Sequence, residues 1–384
     1  MKILFFSGDY WPNNGGIAAH VYYLSRALAR IGHQVTVLGG AQKNVKSLSS
    51  TPSSAGGNLH EIIMFRKGPR IVKGVVFLMQ SFFLLRVLSR QKWDVIHFHN
   101  FVPDGLLLGI LPWPEAKIRV MTNHSSQYLI ALEKQRPTLL YQTATRMVNG
   151  FIAPSNELLE KTAPIMRQGQ AAKYIPNGVD LTTFTPGIPT DSAYELLDVD
   201  KTRTIILTVR RHSPKCGLDY LIHAIPTIIS KYPDVVFCLL GDGEQTAELK
   251  NLASELKIQN SVRFPGRVLH DQLPNVLRAA YLTILPSLYE AVSLAGLESM
   301  ACGIPVVGTR VGGIPEFVLH KETGILIEPQ SSVAIARAVM DLIEKPALRN
   351  EVSLNAHNLV RQKYSWDSVA QTTVDFYQAL SREN

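Results

Sequence analysis

Cysteine is scarce in this chain. Cys216, Cys238 and Cys302 are the only three in 384 residues, they lie far apart, and they match no zinc or redox spacing. That excludes a disulfide framework and fits a reducing cytosol. Charge is also sparse, at 18% against 46% hydrophobic residues, which describes a globular protein with large cores. Long apolar runs are missing. The most apolar segment, residues 75–88, is broken by Gln80, Ser81 and Arg86 and is too short to span a bilayer. The opening strand, residues 3–6, is too short for a signal-peptide core. A cytoplasmic protein, soluble or peripheral on the cytoplasmic membrane face, is expected. There is no Ser-His-Asp order, no Walker loop and no sequence-local cluster of metal ligands, so no cofactor and no metal are expected. No internal repeat is evident.

What is present is alternation. A chain of 384 residues is too long for one ordinary domain, and two of about 180 each is the natural division. Strands are expected at residues 2–6, 34–38, 94–99, 119–122 and 150–154. The first is followed by Gly15-Gly16 and a helix over 17–31, whose buried stripe is Val21, Leu24, Leu28 and Ile31. Residues 41–58, polar and rich in Ser and Gly, read as a loop. Pro176-Asn177-Gly178-Val179-Asp180 opens a connection, after which strands at 204–209, 235–240, 262–264, 282–285, 305–307 and 324–327 alternate with helices. Such alternation argues for parallel sheets covered on both faces. The expected domains are 1–185, 190–362 and a final helix in 363–384 returning to the first. Ligand crevices are expected at the C-terminal ends of the strands.

Charge divides unevenly. Residues 1–190 hold 20 Lys/Arg against 9 Asp/Glu, and the remainder 19 against 22. The first half therefore expects an anionic partner. Without a nucleic-acid motif, nucleic acid is set aside. Arg66, Lys67, Arg70 and Lys73 precede the apolar stretch 75–88, and Arg86, Arg90 and Lys92 accompany its end. This is the pattern of an interfacial helix on an anionic membrane, with a core helix having solvated ends as the equal alternative.

The most informative stretch runs from Ser287 to Glu298. Glu290 follows a strand stopped by Pro286, and Glu298 lies about a turn and a half into a helix beginning near Ser293. Between them the N–H groups of Ser293, Leu294 and Ala295 point out of a helix N-terminus, which stabilises anions. Hydroxyl-binding acids flanking a phosphate-binding helix end suit a nucleotide-sugar. Asp198-Val199-Asp200 matches a cation-binding Asp-x-Asp pattern but precedes a strand, and reads as a chance match. His20 on the first helix could reach the crevice, or be solvated or capping. His97 and His99, at a strand end, read as structural.

Taken in order, these features resemble the retaining glycosyltransferases of family 4 (group 1), with the two-domain GT-B fold. The resemblance rests on Gly15-Gly16, Pro-Asn-Gly-Val-Asp at 176–180, Arg211 through Lys215-Cys216-Gly217, Gly241-Asp242-Gly243 and the spaced glutamates. It rests also on Ala301-Cys302-Gly303-Ile304-Pro305-Val306-Val307 and Gly312-Gly313-Ile314-Pro315-Glu316. It implies two Rossmann-like doubly wound domains facing each other across a cleft. It implies metal-independent transfer of a hexose from a nucleoside diphosphate sugar to a hydroxyl acceptor, a glycan or glycolipid. Glu298 would hold the ribose and Glu290 the transferred sugar. Arg211 and Lys215 would neutralise the diphosphate, with Arg210 beside them. His124 would face the donor sugar from the first domain, Gly16 would admit the backbone close to the diphosphate, and Arg267 and Val268 would lie near the base. The family places lysine where Cys216 stands and a Gly-Arg pair where Arg210-Arg211 stand. Ala291 and Ser293 replace common glycines, which leaves donor identity open. The alternatives are an epimerase or hydrolase of the same fold and a catalytically silent binding protein.

Overall fold

The computed structural model describes residues 1–11, 16–41, 58–65, 70–99, 111–124, 128, 132 and 139–383. The chain divides into two units, residues 1–178 with 366–384, and residues 179–365. The 41–58 loop expectation lies largely outside the described residues, as do Gly15, Arg66 and Lys67.

The first unit is a seven-stranded parallel sheet of order β3-β2-β1-β4-β5-β6-β7. Its strands are β1 (Lys2–Ser7), β2 (Gln34–Ala41), β3 (Leu59–Phe65), β4 (Trp93–Phe98), β5 (Ala116–Thr122), β6 (Gly150–Ala153) and β7 (Ala171–Tyr174). Alternate residues enter opposite cores. Ile3 and Phe5 join one and Leu4 and Phe6 the other, because successive side chains on a strand point to opposite faces. Two edge strands were not anticipated. β3 carries His60 and Glu61, which interrupt its apolar run, and Glu61 is held by Arg26 of the neighbouring helix at 3.1 Å. β7 is four residues, Ala-Ala-Lys-Tyr, none of them fully buried.

The helix Trp366–Glu383 belongs to this unit. Trp366, Val369, Ala370, Val374 and Tyr377 pack with Val21, Leu24 and Leu28 of the helix Gly16–Arg30. Trp366 stacks on Tyr23 at 5.7 Å and meets the His20 ring edge-on at 5.3 Å. Gly178 is pressed against its indole, so closely that a Cβ there would lie 2.5 Å from Cδ2.

The second unit is a six-stranded parallel sheet of order β10-β9-β8-β11-β12-β13. Its strands are β8 (Thr204–Val209), β9 (Val235–Leu240), β10 (Val262–Gly266), β11 (Leu282–Leu285), β12 (Val306–Thr309) and β13 (Ile325–Ile327). Val236 and Cys238 face one core, and Val235, Phe237 and Leu239 the other. This is why the strands read as unbroken apolar runs. In each sheet the order reverses once, between β1 and β4 and between β8 and β11. The loops leaving those strands diverge there and open a crevice at their C-terminal ends.

Replacing Trp366 with alanine removes a nearly fully buried indole from the first unit. It should destabilise that unit by about 3–5 kcal/mol. Urea unfolding followed by amide exchange at β1 and β4 measures the loss, with amides of β8 and β9 as the internal reference.

Candidate active site

Arg210 leaves the end of β8, and Ser287 and Glu290 follow β11, so all three stand at the reversal point of the second sheet. The Arg210 guanidinium donates to Ser287 Oγ at 2.6 Å and Ser293 Oγ at 3.2 Å, and forms a close ion pair with the Glu290 carboxylate. The side chains of Arg210 and Glu290 are only 9% and 14% exposed. Burial works against the guanidinium's charge, but the Glu290 carboxylate and the adjacent Cys216 sulfur outweigh it, and Arg210 is held firmly protonated. Ser293 caps the helix Leu294–Ala301, its hydroxyl oxygen accepting from Gly296 N–H at 3.3 Å. The N–H groups of Ser293, Leu294 and Ala295 have no carbonyl ahead of them in the helix.

Glycines clamp this site. Gly312 adopts φ +55°, and a Cβ there would lie 1.6 Å from the Glu290 carbonyl oxygen. Gly217, at φ +61°, would likewise place a Cβ 2.2 Å from the Pro286 carbonyl oxygen. The loops after β8, β11 and β12 therefore touch backbone to backbone, which only glycine permits at these positions. Lys215 lies half-buried in the short turn Pro214–Cys216, and its carbonyl accepts from the N–H groups of Leu288 and Tyr289 at 2.8 and 3.1 Å.

The other expected residues are placed as follows. Arg211 is exposed and its nearest ionic partner is Glu244, at 3.9 Å. Arg267 pairs with Asp242 at 2.6 Å on the surface, and Val268 packs against the core. Glu298 is buried on the helix and meets His270 Nε2 at 3.3 Å. His270, on the loop after β10, was missed because nothing local in the sequence links it to Glu298. Its pKa is raised chiefly by that hydrogen bond to Glu298. Asp198 and Asp200 lie before β8, at the other end of the strand from Arg210. Asp200 accepts from Thr202 N–H at 2.8 Å, and Asp198 pairs with Arg263 at 3.2 Å.

In the first unit, Gly16 begins its helix and is exposed. His20, His99 and His124 gather at the reversal point of that sheet, the first two almost fully buried. His20 is thus neither solvated nor capping. The rings of His20 and His124 are 4.3 Å apart. His97 is structural, meeting the Tyr377 hydroxyl at 2.6 Å and Thr122 Oγ1 at 2.7 Å. Burial lowers the pKa of His20 to about 4 and holds those of His97, His99 and His124 well below the usual value.

Two family models match the chain in tandem, Glycosyltransferase Family 4 over residues 14–183 and Glycosyl transferases group 1 over residues 195–359. The chain belongs to this family of glycosyltransferases. It is 28% identical over 390 residues to one subunit of the phosphatidylinositol N-acetylglucosaminyltransferase of Arabidopsis thaliana, covering 98% of this chain and 81% of that one. Sucrose-phosphate synthase from Thermosynechococcus elongatus shares its fold at TM-score 0.83, with 23% identity and full coverage of both chains. Anabaena HepE in complex with UDP-glucose does so at TM-score 0.78 with 21% identity, covering 99% of this chain and all of that one. Each unit of this glycosyltransferase is a Rossmann-like half of the GT-B fold.

His270 should take up its proton at higher pH than an ordinary histidine, because of its hydrogen bond to Glu298. His270 gains its proton affinity from Glu298, so the pair's stabilising share is full below the ordinary histidine value near 6.5 and fades as pH rises through the raised value. In Glu298→Gln, the His270 ring resonances followed by NMR should titrate at a lower pH than in the parent protein.

Proposed function

We propose that this glycosyltransferase is a retaining, metal-independent hexosyltransferase using a nucleoside diphosphate sugar. The observation that carries the reading is Arg210, buried and ion-paired with Glu290 beside the Ser293 helix cap at the sheet's reversal point. Breaking a sugar–diphosphate bond leaves negative charge on the phosphate. Fixed positive charge in a poorly hydrated site stabilises that growth most. In this reading Arg210 supplies the cation that the family draws from the lysine replaced here by Cys216, its guanidinium lying against the Cys216 sulfur. Arg211 and Lys215 flank the phosphates, and the N–H groups of Ser293, Leu294 and Ala295 donate to their oxygens.

Glu298 takes the ribose hydroxyls, with His270 holding its carboxylate in place. Glu290 takes the transferred sugar. Arg267 and Val268 border the base, Gly16 leaves room for the diphosphate, and His124 is assigned to the donor sugar. HepE, whose structure contains UDP-glucose, supports a nucleotide-sugar donor. The Arabidopsis relative, named for phosphatidylinositol, supports a lipid-linked acceptor.

Glu298→Ala should weaken binding of the free nucleoside diphosphate by about 1.5–3 kcal/mol, the range for hydrogen bonds to a charged group. Titration calorimetry with UDP, GDP and ADP measures this and names the base. Glu290→Gln, which spares Arg210 the cost of a fully unpaired buried charge, should lower turnover more than affinity. Transfer should survive EDTA, and the product's anomeric configuration, read by NMR, should match the donor's. Equal nucleotide affinity in parent and Glu298→Ala would overturn the ribose assignment.

The acceptor side is read as membrane-facing. The helix Arg70–Leu88 turns Met79, Phe83 and Val87 outward at 57, 63 and 58% exposure, while Ser81 and Leu85 are buried. Arg86 and Arg90 are exposed beside that apolar face. None of the described helices is long and apolar enough to cross a membrane. Such a face suits lying on an anionic surface, where each basic residue contributes about 1 kcal/mol. Vesicles containing anionic lipid should retain the protein at low salt and release it as salt rises. Phe83→Ser with Arg86→Gln and Arg90→Gln should abolish co-sedimentation and leave nucleotide binding intact.

A further inference from the structure

The three histidines at the reversal point of the first sheet are hydrogen-bonded in a way that leaves their purpose unexplained. His20 places Nδ1 2.7 Å from the Asn177 side-chain oxygen. An amide oxygen accepts, so Nδ1 carries the proton and Nε2 presents a bare lone pair. That Nε2 is buried without a partner, as are Nε2 of His124 and both ring nitrogens of His99. Each such orphan costs about 1–3 kcal/mol relative to a satisfied group. His97, one position before Phe98 and within 4.1 Å of the His99 ring, shows that the fold can satisfy an imidazole here through both nitrogens. It does not do so for the other three.

The three rings converge. One ring nitrogen from each of His20, His99 and His124 lies within 4.8 Å of the other two, and each ring carries a buried nitrogen without a partner. Burial, with the rings' mutual repulsion at His99 and His124, keeps the imidazoles neutral, the form that ligates. The Asn177 contact fixes the His20 tautomer from behind, as outer hydrogen bonds do at metal centres. We propose that His20, His99 and His124 form a binding site for a borderline divalent cation of the zinc type, with a fourth position open. Zinc–imidazole bonds of about 2.0–2.1 Å would draw the nitrogens to about 3.3 Å apart, a small inward adjustment of the rings. Three nitrogen ligands with no carboxylate among them select zinc, cobalt or nickel over magnesium and calcium.

Occupation withdraws the His124 lone pair, so the cation acts as a brake on transfer. That consequence rests on the proposed assignment of His124 to the donor sugar; the binding does not. The sequence shows no sign of the site because its ligands come from a helix and two strand ends, 79 and 25 positions apart along the chain.

Metal-stripped full-length protein titrated with CoCl2 tests the binding without turnover. One equivalent per chain should bind, with visible absorption of a four-coordinate cobalt centre, displaced by ZnCl2 and not by excess MgCl2. His99→Gln and His20→Gln should each weaken binding at least tenfold. Asn177→Ala, which leaves all three ligands, should weaken it about 10–100-fold. Far-UV circular dichroism and the thermal unfolding midpoint report whether each variant is folded. No stoichiometric binding, or binding equal in the parent and both histidine variants, overturns the site. With the site in place, ZnCl2 should inhibit transfer reversibly, and transfer untouched at full occupancy overturns the brake. A protein that transfers no sugar from any donor fails the transferase reading alone, since the cobalt titration stands without it.

Discussion

A guanidinium and a carboxylate withdrawn from water hold each other in place at the centre of the second unit. Arg210 comes from the end of β8 and Glu290 from the loop after β11, and neither charge could stay buried without the other. The pair therefore ties together the two strands between which the sheet reverses. Ser287 and Ser293 accept further hydrogen bonds from the guanidinium, and Ser293 in turn begins the helix that carries Glu298. Displacing Arg210 would loosen the acid at the site, the helix cap and the loop between them together.

The backbone meets the same constraint from the other side. The carbonyl groups of Pro286 and Glu290 sit where Gly217 and Gly312 approach without side chains, in left-handed conformations that other residues adopt at a cost. The family resemblance includes these glycines because they are what brings three strand-end loops into contact. Cys216 beside Gly217 then makes sense as a packing choice. It is buried against Arg210, in a space that a lysine ammonium and the guanidinium could share only by repelling each other.

The first unit uses its reversal point differently. It gathers neutral imidazoles rather than a charge pair, and the terminal helix secures them, with Trp366 against His20 and Tyr377 on His97. A histidine ring kept from water and from counter-charge is a lone-pair donor rather than a cation, which suits it to hydroxyls or a borderline metal and not to phosphate. The two units thus share an architecture while placing neutral donors in one and a buried ion pair in the other at equivalent places.

Most of the sheet was legible in the sequence, because strands buried on both faces must be apolar throughout and end at Pro, Gly or polar residues. Eleven of the thirteen strands among the described residues could be anticipated on that ground. β3 and β7 could not, since an edge strand with a polar interruption, or one of only four residues, looks like loop until a neighbour pairs with it. The spaced glutamates and the helix between them were local in sequence and hence visible. Which of two adjacent arginines turns inward to Glu290, that Glu298 meets His270, and that His20, His99 and His124 converge were not. Those facts join residues between 25 and 104 positions apart, and sequence pattern carries no information on such distances. The order of the strands decides them, by bringing separate loops to one edge of one sheet.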